Sequence, residues 1–363
     1  MTNSPMICLE IGDPLPAATL IDPAGGRFPV RGTALAGSPM IILASPGLNP
    51  QFAEALRQFH GLKARLDESG IRFLPVSGAT PSANAEFAAS QGFGVSPFSD
   101  IDGTMLSAIG MPAATDPNEV ASMACLIVDC ELRLLARLPI GHPAAYADAG
   151  LRICQDFISS LPHGTVEQQA PVLLVPRVLS PEICRSLIEQ WALGNKQTDV
   201  ATAPYGLDPT SPTDPAASRP IVKRRSDWLI PDGPLNVELR DIFRRRVVLA
   251  LRKAFDFQPE AYETLRVGCY DAERGGYFRR HRDNVGPPEI RRRRFAMSLN
   301  LNDDYEGGEV RFPEYGAQRY RPPMGAALLF SCGLLHEALE IRRGQRFVLL
   351  TFFFGKEPAP PSS

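Results

Sequence analysis

The spacing of apolar positions changes character near residue 160 of the chain. Before that point, short apolar runs alternate with stretches in which apolar residues recur every three or four positions, as along residues 39–45 and then 51–69. The same pattern predicts further elements in this part, as strands at 71–76, 124–129 and 132–137 and as helices at 83–91 and 143–159. Strands that alternate with helices in this way predict an open α/β sheet.

The second part of the chain follows a polar stretch, residues 162–171, with a proline at each end. A helix is predicted from Ser180, because serine is a favoured N-cap and proline and glutamate follow it. Residues 195–221, rich in Pro, Thr, Ser and Ala, predict a long loop of the kind that forms a lid or stays disordered, and a long helix is expected over 235–255. Seven closely spaced strands are then predicted, at 263–270, 275–282, 293–302, 308–312, 325–331, 335–341 and 346–354. Such a run favours an all-β sandwich or barrel packed on helices.

Length and composition agree with two soluble domains, which we place at residues 1–162 and 163–363. Of the 363 residues, 44% are hydrophobic and 21% are charged, and the net charge of −2 disfavours a nucleic-acid or acidic membrane partner. The longest apolar runs fall far short of the ~20 residues of a membrane helix. The first 13 residues carry two acidic side chains and do not resemble a signal peptide, and seven scattered cysteines fit reduced thiols. We therefore expect a cytoplasmic protein.

Candidate chemistry centres on two of the five histidines. His281 and Asp283 are two residues apart, so a strand places both side chains on one face. His336 begins another predicted strand 53 residues later. Two imidazoles and one carboxylate on one face predict an iron site that leaves about three coordination positions open. An HxD pair alone would more often be a surface polar pair.

Arg346 follows His336 by ten residues and is expected on the next antiparallel strand. Its guanidinium could grip the far carboxylate of a dicarboxylate cosubstrate through two charge-assisted hydrogen bonds. Gly344 supplies a turn residue in the intervening stretch.

The order of these motifs is more specific than any one of them. HxD, then LNLNDDYEGGEVRFP, then PMGAALLF, then a histidine with arginine ten residues on resembles the prolyl 4-hydroxylase-like branch of the 2-oxoglutarate/iron(II) oxygenases over roughly residues 175–355. The resemblance implies a double-stranded β-helix, or jelly roll, with two to four supporting helices. It makes His281, Asp283 and His336 the metal ligands and Arg346 the 2-oxoglutarate anchor. Fe(II), 2-oxoglutarate and O2 are the implied cofactor and cosubstrates, with ascorbate as a candidate addition.

The same resemblance bears on the reaction and the pocket. Asp283 stands where halogenating relatives have a small residue, so hydroxylation of a peptidyl substrate, prolyl included, or of a small molecule is expected, with release of succinate and CO2. Tyr270 is the candidate to help hold 2-oxoglutarate, and Tyr277 is its rival. Relatives carry Thr and Tyr where this chain has Ala296 and Asn300, with Ser298 between them on one face, so its cosubstrate pocket is expected to differ.

The first domain resembles peroxiredoxins in its opening, IGDPLPAATLIDPAGGRFPV, and in the ACLIVDCELRLLAR hairpin, which implies a thioredoxin-like fold. Counted from Pro46, the family's catalytic cysteine position falls at Ala53 and its threonine position at Pro50. Counted back from Asp129, the family's arginine position falls at Met123. We therefore expect a degenerate domain without peroxidase chemistry. The alternative function is a thiol, redox or binding role for this domain.

Arginines near the metal motif allow two interpretations. Arg279, Arg280, Arg282 and the run 291–294 could draw an anionic substrate to the iron. Solvated strand faces and ion pairs with the 40 acidic residues are the interpretation we favour. The oligomeric state is left open by the sequence.

Overall fold

The computed structural model describes residues 8–32, 34–111, 123–138, 144–202 and 221–355. In it the chain divides into two compact units, Met1–Gly164 and Thr165–Ser363. Within these described ranges, no helix is both long and apolar enough to cross a bilayer.

The first unit is built on a seven-stranded mixed sheet with the order β2-β1-β5-β4-β3-β6-β7. Its strands are β1 (Thr19–Ile21), β2 (Arg27–Pro29), β3 (Met40–Ser45), β4 (Arg72–Ser77), β5 (Phe98–Ser99), β6 (Ala124–Val128) and β7 (Leu134–Leu138). Its helices are α1 (Pro50–Gly61), α2 (Lys63–Glu68), α3 (Pro81–Gln91), α4 (Thr104–Ala108) and α5 (Ala144–Ser160).

The connections of the central strands define the fold of this unit. β3 and β4 run parallel and are joined through α1 and α2, while β6 and β7 form an antiparallel hairpin that leads into α5. β6 lies antiparallel to β3, so a βαβ unit and a ββα unit share one sheet. This is the thioredoxin-like α/β arrangement, which confirms the expected fold class. β3 is buried along its whole length between two apolar cores, as a central strand should be.

Local sequence explains most helix ends in this unit. α1 begins after Asn49, whose side chain accepts a hydrogen bond from the Phe52 N–H, and α3 begins after Thr80 in the same way. The single helix predicted for residues 51–69 is wrong in one respect. The backbone leaves helical geometry at Leu62 (φ −96°, ψ 1°), which splits the segment into α1 and α2.

The second unit is built on antiparallel β structure. Its strands are β8 (Val172–Val175), β9 (Gln197–Thr202), β10 (Ile221–Leu229), β11 (Ala261–Tyr262), β12 (Arg266–Asp271), β13 (Tyr277–His281), β14 (Arg293–Asn300), β15 (Glu306–Gly307), β16 (Val310–Arg311), β17 (Arg319–Tyr320), β18 (Ala327–Ser331), β19 (His336–Ala338), β20 (Ile341–Arg343) and β21 (Gln345–Phe354). Its helices are α6 (Pro181–Leu193), α7 (Pro234–Phe243), α8 (Leu249–Phe255) and α9 (Pro288–Arg291), with a π-helical turn Arg244–Val248 and a 3-10 turn Pro313–Tyr315.

Two antiparallel sheets make up the core of this unit. One has the order β12-β21-β14-β18-β8 and the other the order β17-β16-β19-β13, and β10 pairs with both β12 and β13 to join them. Along the chain, β12, β14, β18 and β21 of the first sheet alternate with β13, the β16–β17 pair and β19 of the second, which is the jelly-roll arrangement. β15 and β20 pair with each other, apart from both sheets. The expected jelly roll is therefore confirmed.

Residues 195–221 were predicted to form one loop, but part of this segment is a strand. β9 occupies Gln197–Thr202 and pairs with β10 in antiparallel register, so a strand pair flanks residues 203–220, which lie outside the described residues. β8 and β10 were not predicted either. The helix predicted over 235–255 is interrupted by the π-helical turn between α7 and α8.

The turn before β16 depends on glycine at position 307. Gly307 has φ +83°, and a Cβ there would lie 2.3 Å from the Glu340 carbonyl oxygen. Gly307→Ala should therefore lower the free energy of unfolding by about 3 kcal/mol, from the left-handed backbone and the clash together. Urea denaturation tests this, with Gly333→Ala as the control, since its Cβ would meet only ordinary contacts. Equal stabilities of the two variants would contradict it.

Candidate active site

Strand pairing brings the three predicted metal-site residues together. His281 ends β13 and Asp283 follows it, while His336 begins β19, the neighbour of β13 in the sheet. His281 and His336 are direct partners in the β13–β19 register. Residues 55 positions apart in sequence thus face each other across one strand pair.

The three side chains point to one spot inside the jelly roll. One ligand atom from each lies within 4.8 Å of the others. The Nε2 atoms of His281 and His336 lie 3.4 and 3.3 Å from the two carboxylate oxygens of Asp283. All three side chains are buried, so the site is shielded from bulk water.

Hydrogen bonds fix which imidazole nitrogens face the site. His281 Nδ1 lies 2.7 Å from the Arg279 carbonyl oxygen, and His336 Nδ1 lies 3.0 Å from the Leu334 carbonyl oxygen. Because a carbonyl only accepts, each Nδ1 carries the proton and each Nε2 offers a lone pair. This orientation of the far nitrogen is typical of metal-binding histidines.

The protonation states also suit a divalent cation. Burial lowers the pKa of His336 to about 4, which keeps its imidazole neutral near pH 7. Burial opposes ionisation of Asp283, but the neighbouring His336 and His281 outweigh it and lower the pKa of that carboxyl to about 2. Two imidazoles and one ionised carboxylate fit the donor set of a non-haem ferrous ion.

Arg346 lies on β21, and its side chain is only 2% exposed. Its guanidinium donates to three neutral acceptors: Asn300 Oδ1 at 2.9 Å, the Gly308 carbonyl oxygen at 2.8 Å and Ser298 Oγ at 3.3 Å. No acidic side chain in the described ranges pairs with it. A buried cation held in place but not neutralised is suited to bind an anion.

The two candidate tyrosines differ in position. Tyr270 lines the same cavity as the three metal-site residues, and its ring centroid lies 5.7 Å from the guanidinium carbon of Arg346. Tyr277 is buried outside that lining, with the Arg279 guanidinium stacked 4.0 Å from its ring. Of the two, only Tyr270 is placed to contact a ligand in the cavity.

The cavity of about 80 Å³ also contains residues that the sequence did not single out. Lys223 and Arg225 reach it from β10, and Arg266 reaches it from β12. The only sequence signal was alternation, since Lys223, Arg225 and Asp227 occupy every second position of a strand.

Arg293 shows that part of the arginine run is not a solvated face. It is buried, lines the cavity and pairs with Glu263 at 2.5 and 2.9 Å, so the expected ion pair is present but the expected solvation is wrong for this residue. Its guanidinium also donates to the Asp283 carbonyl oxygen at 3.2 Å, which holds the backbone of a metal-site residue. Arg279 and Arg280 are exposed, as that interpretation expected.

Comparison with known families agrees with this geometry. Residues 265–354 match the profile of the 2OG-Fe(II) oxygenase superfamily, a stretch that includes all three metal-site residues and Arg346. The predicted resemblance is thus confirmed for this part of the chain.

Two PKHD-type hydroxylases share sequence with part of this chain. One, from Pseudomonas fluorescens, is 35% identical over 96 residues, which are 24% of this chain and 41% of the relative. The other, from Polaromonas sp., is 42% identical over 60 residues, which are 16% of this chain and 26% of the relative. The chain therefore covers less than half of the length of either relative.

Solved structures resemble each half of the chain. A Pseudomonas putida prolyl-4-hydroxylase is 18% identical and covers 52% of this chain and 95% of its own, with a TM-score of 0.37. The peroxidoxin BcpB from Mycobacterium tuberculosis is also 18% identical and covers 41% of this chain and 97% of its own, again with a TM-score of 0.37.

The peroxidase positions of the first unit are occupied by packing residues. Ala53 is buried on α1. Met123 is buried just before β6, in the apolar core on one face of the sheet. Pro50 is the first residue of α1. Burial raises the pKa of the Cys125 and Cys154 thiols to about 12, so neither is a thiolate near pH 7.

This burial predicts the order in which cysteines react. Cys8 is exposed and Cys130 is half-buried, whereas the other five cysteines are buried. A thiol-reactive disulfide reagent should modify Cys8 first and Cys130 more slowly, because burial and Asp129 raise the pKa of the Cys130 thiol. The remaining five should react only after unfolding. Rapid reaction of three or more thiols in the native protein would contradict this.

Proposed function

We propose that this protein is a 2-oxoglutarate-dependent dioxygenase that hydroxylates its substrate and releases succinate and CO2. The observation that carries the proposal is the pairing of two features in one cavity. His281, Asp283 and His336 converge within 4.8 Å, and the same cavity holds the buried guanidinium of Arg346 without an acidic partner in the described ranges.

Each residue would have a distinct part in this reaction. His281, Asp283 and His336 would hold ferrous iron through Nε2, carboxylate and Nε2. When bound, the iron supplies O2 activation coupled to oxidative decarboxylation of 2-oxoglutarate. Arg346 would bind the far carboxylate of 2-oxoglutarate, and Ser298 and Asn300 would keep its guanidinium in the required orientation.

The cavity walls would protect the reaction from water. Phe278 stacks on the His281 ring with centroids 3.4 Å apart, and Phe330 lies edge-on to His336 at 4.6 Å. These rings fix the imidazoles and exclude solvent, which strengthens electrostatic contacts inside the site. Tyr270 would complete the pocket at the end near Arg346.

A peptidyl substrate, with prolyl residues foremost, is the finer part of this proposal, and a small molecule is the alternative. The proposed hydroxylation is supported by the PKHD-type hydroxylases that share sequence with part of this chain. The test is succinate release from 2-oxoglutarate, measured with Fe(II) and ascorbate against proline-containing peptides, free amino acids and cell extract. We expect turnover that requires Fe(II) and rises with one substrate class. Absence of succinate under every condition would overturn the proposed activity.

A further inference from the structure

A row of charged side chains on β10 lies inside the jelly roll, and none of them is a proposed ligand of the metal or of 2-oxoglutarate. Lys223, Arg225 and Asp227 alternate along the strand, and each is at most 9% exposed. Arg224, between the first two, is exposed on the opposite face. Buried charges in a strand interior cost free energy, so their presence on the inner face requires a compensating role.

Arg225 is oriented but retains binding capacity. Its Nε and Nη2 donate to the two carboxylate oxygens of Asp227 at 2.6 and 2.7 Å, and its Nη1 donates to the Tyr270 hydroxyl at 3.2 Å. A guanidinium has five N–H groups, so two on Arg225 have no acceptor among the described residues. Asp227 and Tyr270 thus hold a fork whose remaining donors are available to a ligand.

The charge balance of the cavity favours an anion. Even with Lys223 left aside, four arginines line it: Arg225, Arg266, Arg293 and Arg346. Among the described side chains, three carboxylates contact them or line the cavity: Asp227, Glu263 and Asp283. Within this described set, the arginines exceed the carboxylates by one charge. Fe(II) and 2-oxoglutarate carry opposite double charges, so their binding would leave this excess unchanged.

Lys223 and Arg225 occupy different places in the cavity. Lys223 pairs in register with Phe278, and its ammonium lies 5.3 Å from that ring, which stacks on His281. Arg225 contacts Tyr270 on β12, whose ring lies 5.7 Å from the Arg346 guanidinium carbon. Lys223 thus lies beside the metal-ligand strand β13, where the carbon to be hydroxylated must approach, and Arg225 follows it two residues along the same face of β10.

From this arrangement we propose that the substrate carries a carboxylate, which Arg225 binds with Lys223 beside it. The inference rests on the proposed dioxygenase function and names the substrate class of that same site. A carboxylate matches the planar fork of a guanidinium, and one negative charge matches the excess in the cavity. The carboxylate can belong to a free amino acid or to an acidic residue of a peptide.

The test is a calorimetric titration of anaerobic protein loaded with Mn(II) and saturated with 2-oxoglutarate. One set of probes pairs free amino acids with their amides, such as L-proline with L-prolinamide. The other pairs blocked, proline-containing peptides that carry Asp or Glu with the same peptides that carry Asn or Gln. We expect an acid in one set to bind at least about tenfold more tightly than its neutral partner, and the set that responds identifies the source of the carboxylate.

Variants then assign the effect to Arg225. Arg225→Gln would leave Asp227 buried without its partner, so the double variant Arg225→Gln/Asp227→Asn is the main test, because it removes both charges at nearly constant shape. It should lose about tenfold or more in affinity for the acid, nothing for the amide, and less than about twofold for 2-oxoglutarate. Arg224→Gln, on the exposed face of the same strand, should behave as wild type.

The outcomes separate this inference from the function on which it rests. Wild-type protein that binds 2-oxoglutarate but prefers no acid over its neutral partner would overturn the carboxylate assignment alone. Loss of 2-oxoglutarate affinity in the double variant would make Arg225 part of the cosubstrate site and would also overturn it. Failure of wild-type protein to bind 2-oxoglutarate would instead overturn the proposed dioxygenase, and the inference with it.

Discussion

His336→Ala should abolish succinate release and reduce Fe(II) affinity by at least about 100-fold. Substitutions of residues that only orient metal ligands already lower metal affinity by up to about 100-fold. His336→Ala removes one of the three proposed protein ligands. Burial of the His281–Asp283–His336 group makes replacement of the lost imidazole by bulk water inefficient. Anaerobic equilibrium dialysis with Fe(II), together with the succinate assay, measures both effects.

The control for that variant is His163→Ala, which removes an exposed histidine of the first unit. It should retain iron and activity. The far-ultraviolet circular dichroism of His336→Ala should match that of wild type, since the strands around the site are held by backbone pairing. Retention of stoichiometric, tightly bound iron by the folded His336→Ala protein would remove His336 from the ligand set.

Arg346→Gln should weaken 2-oxoglutarate binding by roughly 100-fold while Fe(II) affinity stays within about twofold. The size follows from the loss of a buried, charge-assisted contact, which costs about 3 kcal/mol. Arg346 contacts none of the three metal-site residues among its hydrogen bonds, so the iron site should be preserved. Calorimetric titration of Mn(II)-loaded protein with 2-oxoglutarate gives the affinity.

Two further variants sharpen this result. Arg342 is an exposed arginine on β20, the strand that precedes β21 in the chain. The Arg342→Gln variant should bind 2-oxoglutarate as wild type does. Arg346→Lys should recover part of the affinity, because lysine keeps the charge but loses the two-pronged geometry. Equal loss of iron and 2-oxoglutarate in Arg346→Gln would show that the residue acts on the metal site.

The parts of the site that the sequence predicted are those fixed by local order. Two residues on one strand face and a histidine that starts another strand follow from strand periodicity, and the order of the motifs adds Arg346. Arg346 was expected on the strand next to that of His336, but β20 intervenes and β21 pairs with β12 and β14 instead. Ser298 and Asn300 were also placed on a common face, and both contact Arg346. In the proposed cosubstrate pocket, an amide and a hydroxyl would thus hold the arginine.

The sequence did not predict the strand β10. A half-buried strand is recognised by apolar side chains on its inner face, whereas the inner face of β10 carries charged side chains. Its partner β9 lies in a stretch whose composition is typical of loops. Only three-dimensional pairing with β12 and β13 makes Lys223 and Arg225 part of the cavity. The burial of Arg293 was not predicted, because its ion pair with Glu263 joins residues 30 positions apart.

Anaerobic titration of the purified protein with Fe(II) and 2-oxoglutarate tests the central claim most directly. The account predicts one Fe(II) and one 2-oxoglutarate per chain and a weak visible charge-transfer band that appears only when both are present. Zn(II) in place of Fe(II) should permit 2-oxoglutarate binding without the band, because Zn(II) has a filled d shell and no redox chemistry. Stoichiometric Fe(II) binding without 2-oxoglutarate binding and without the band would contradict the account.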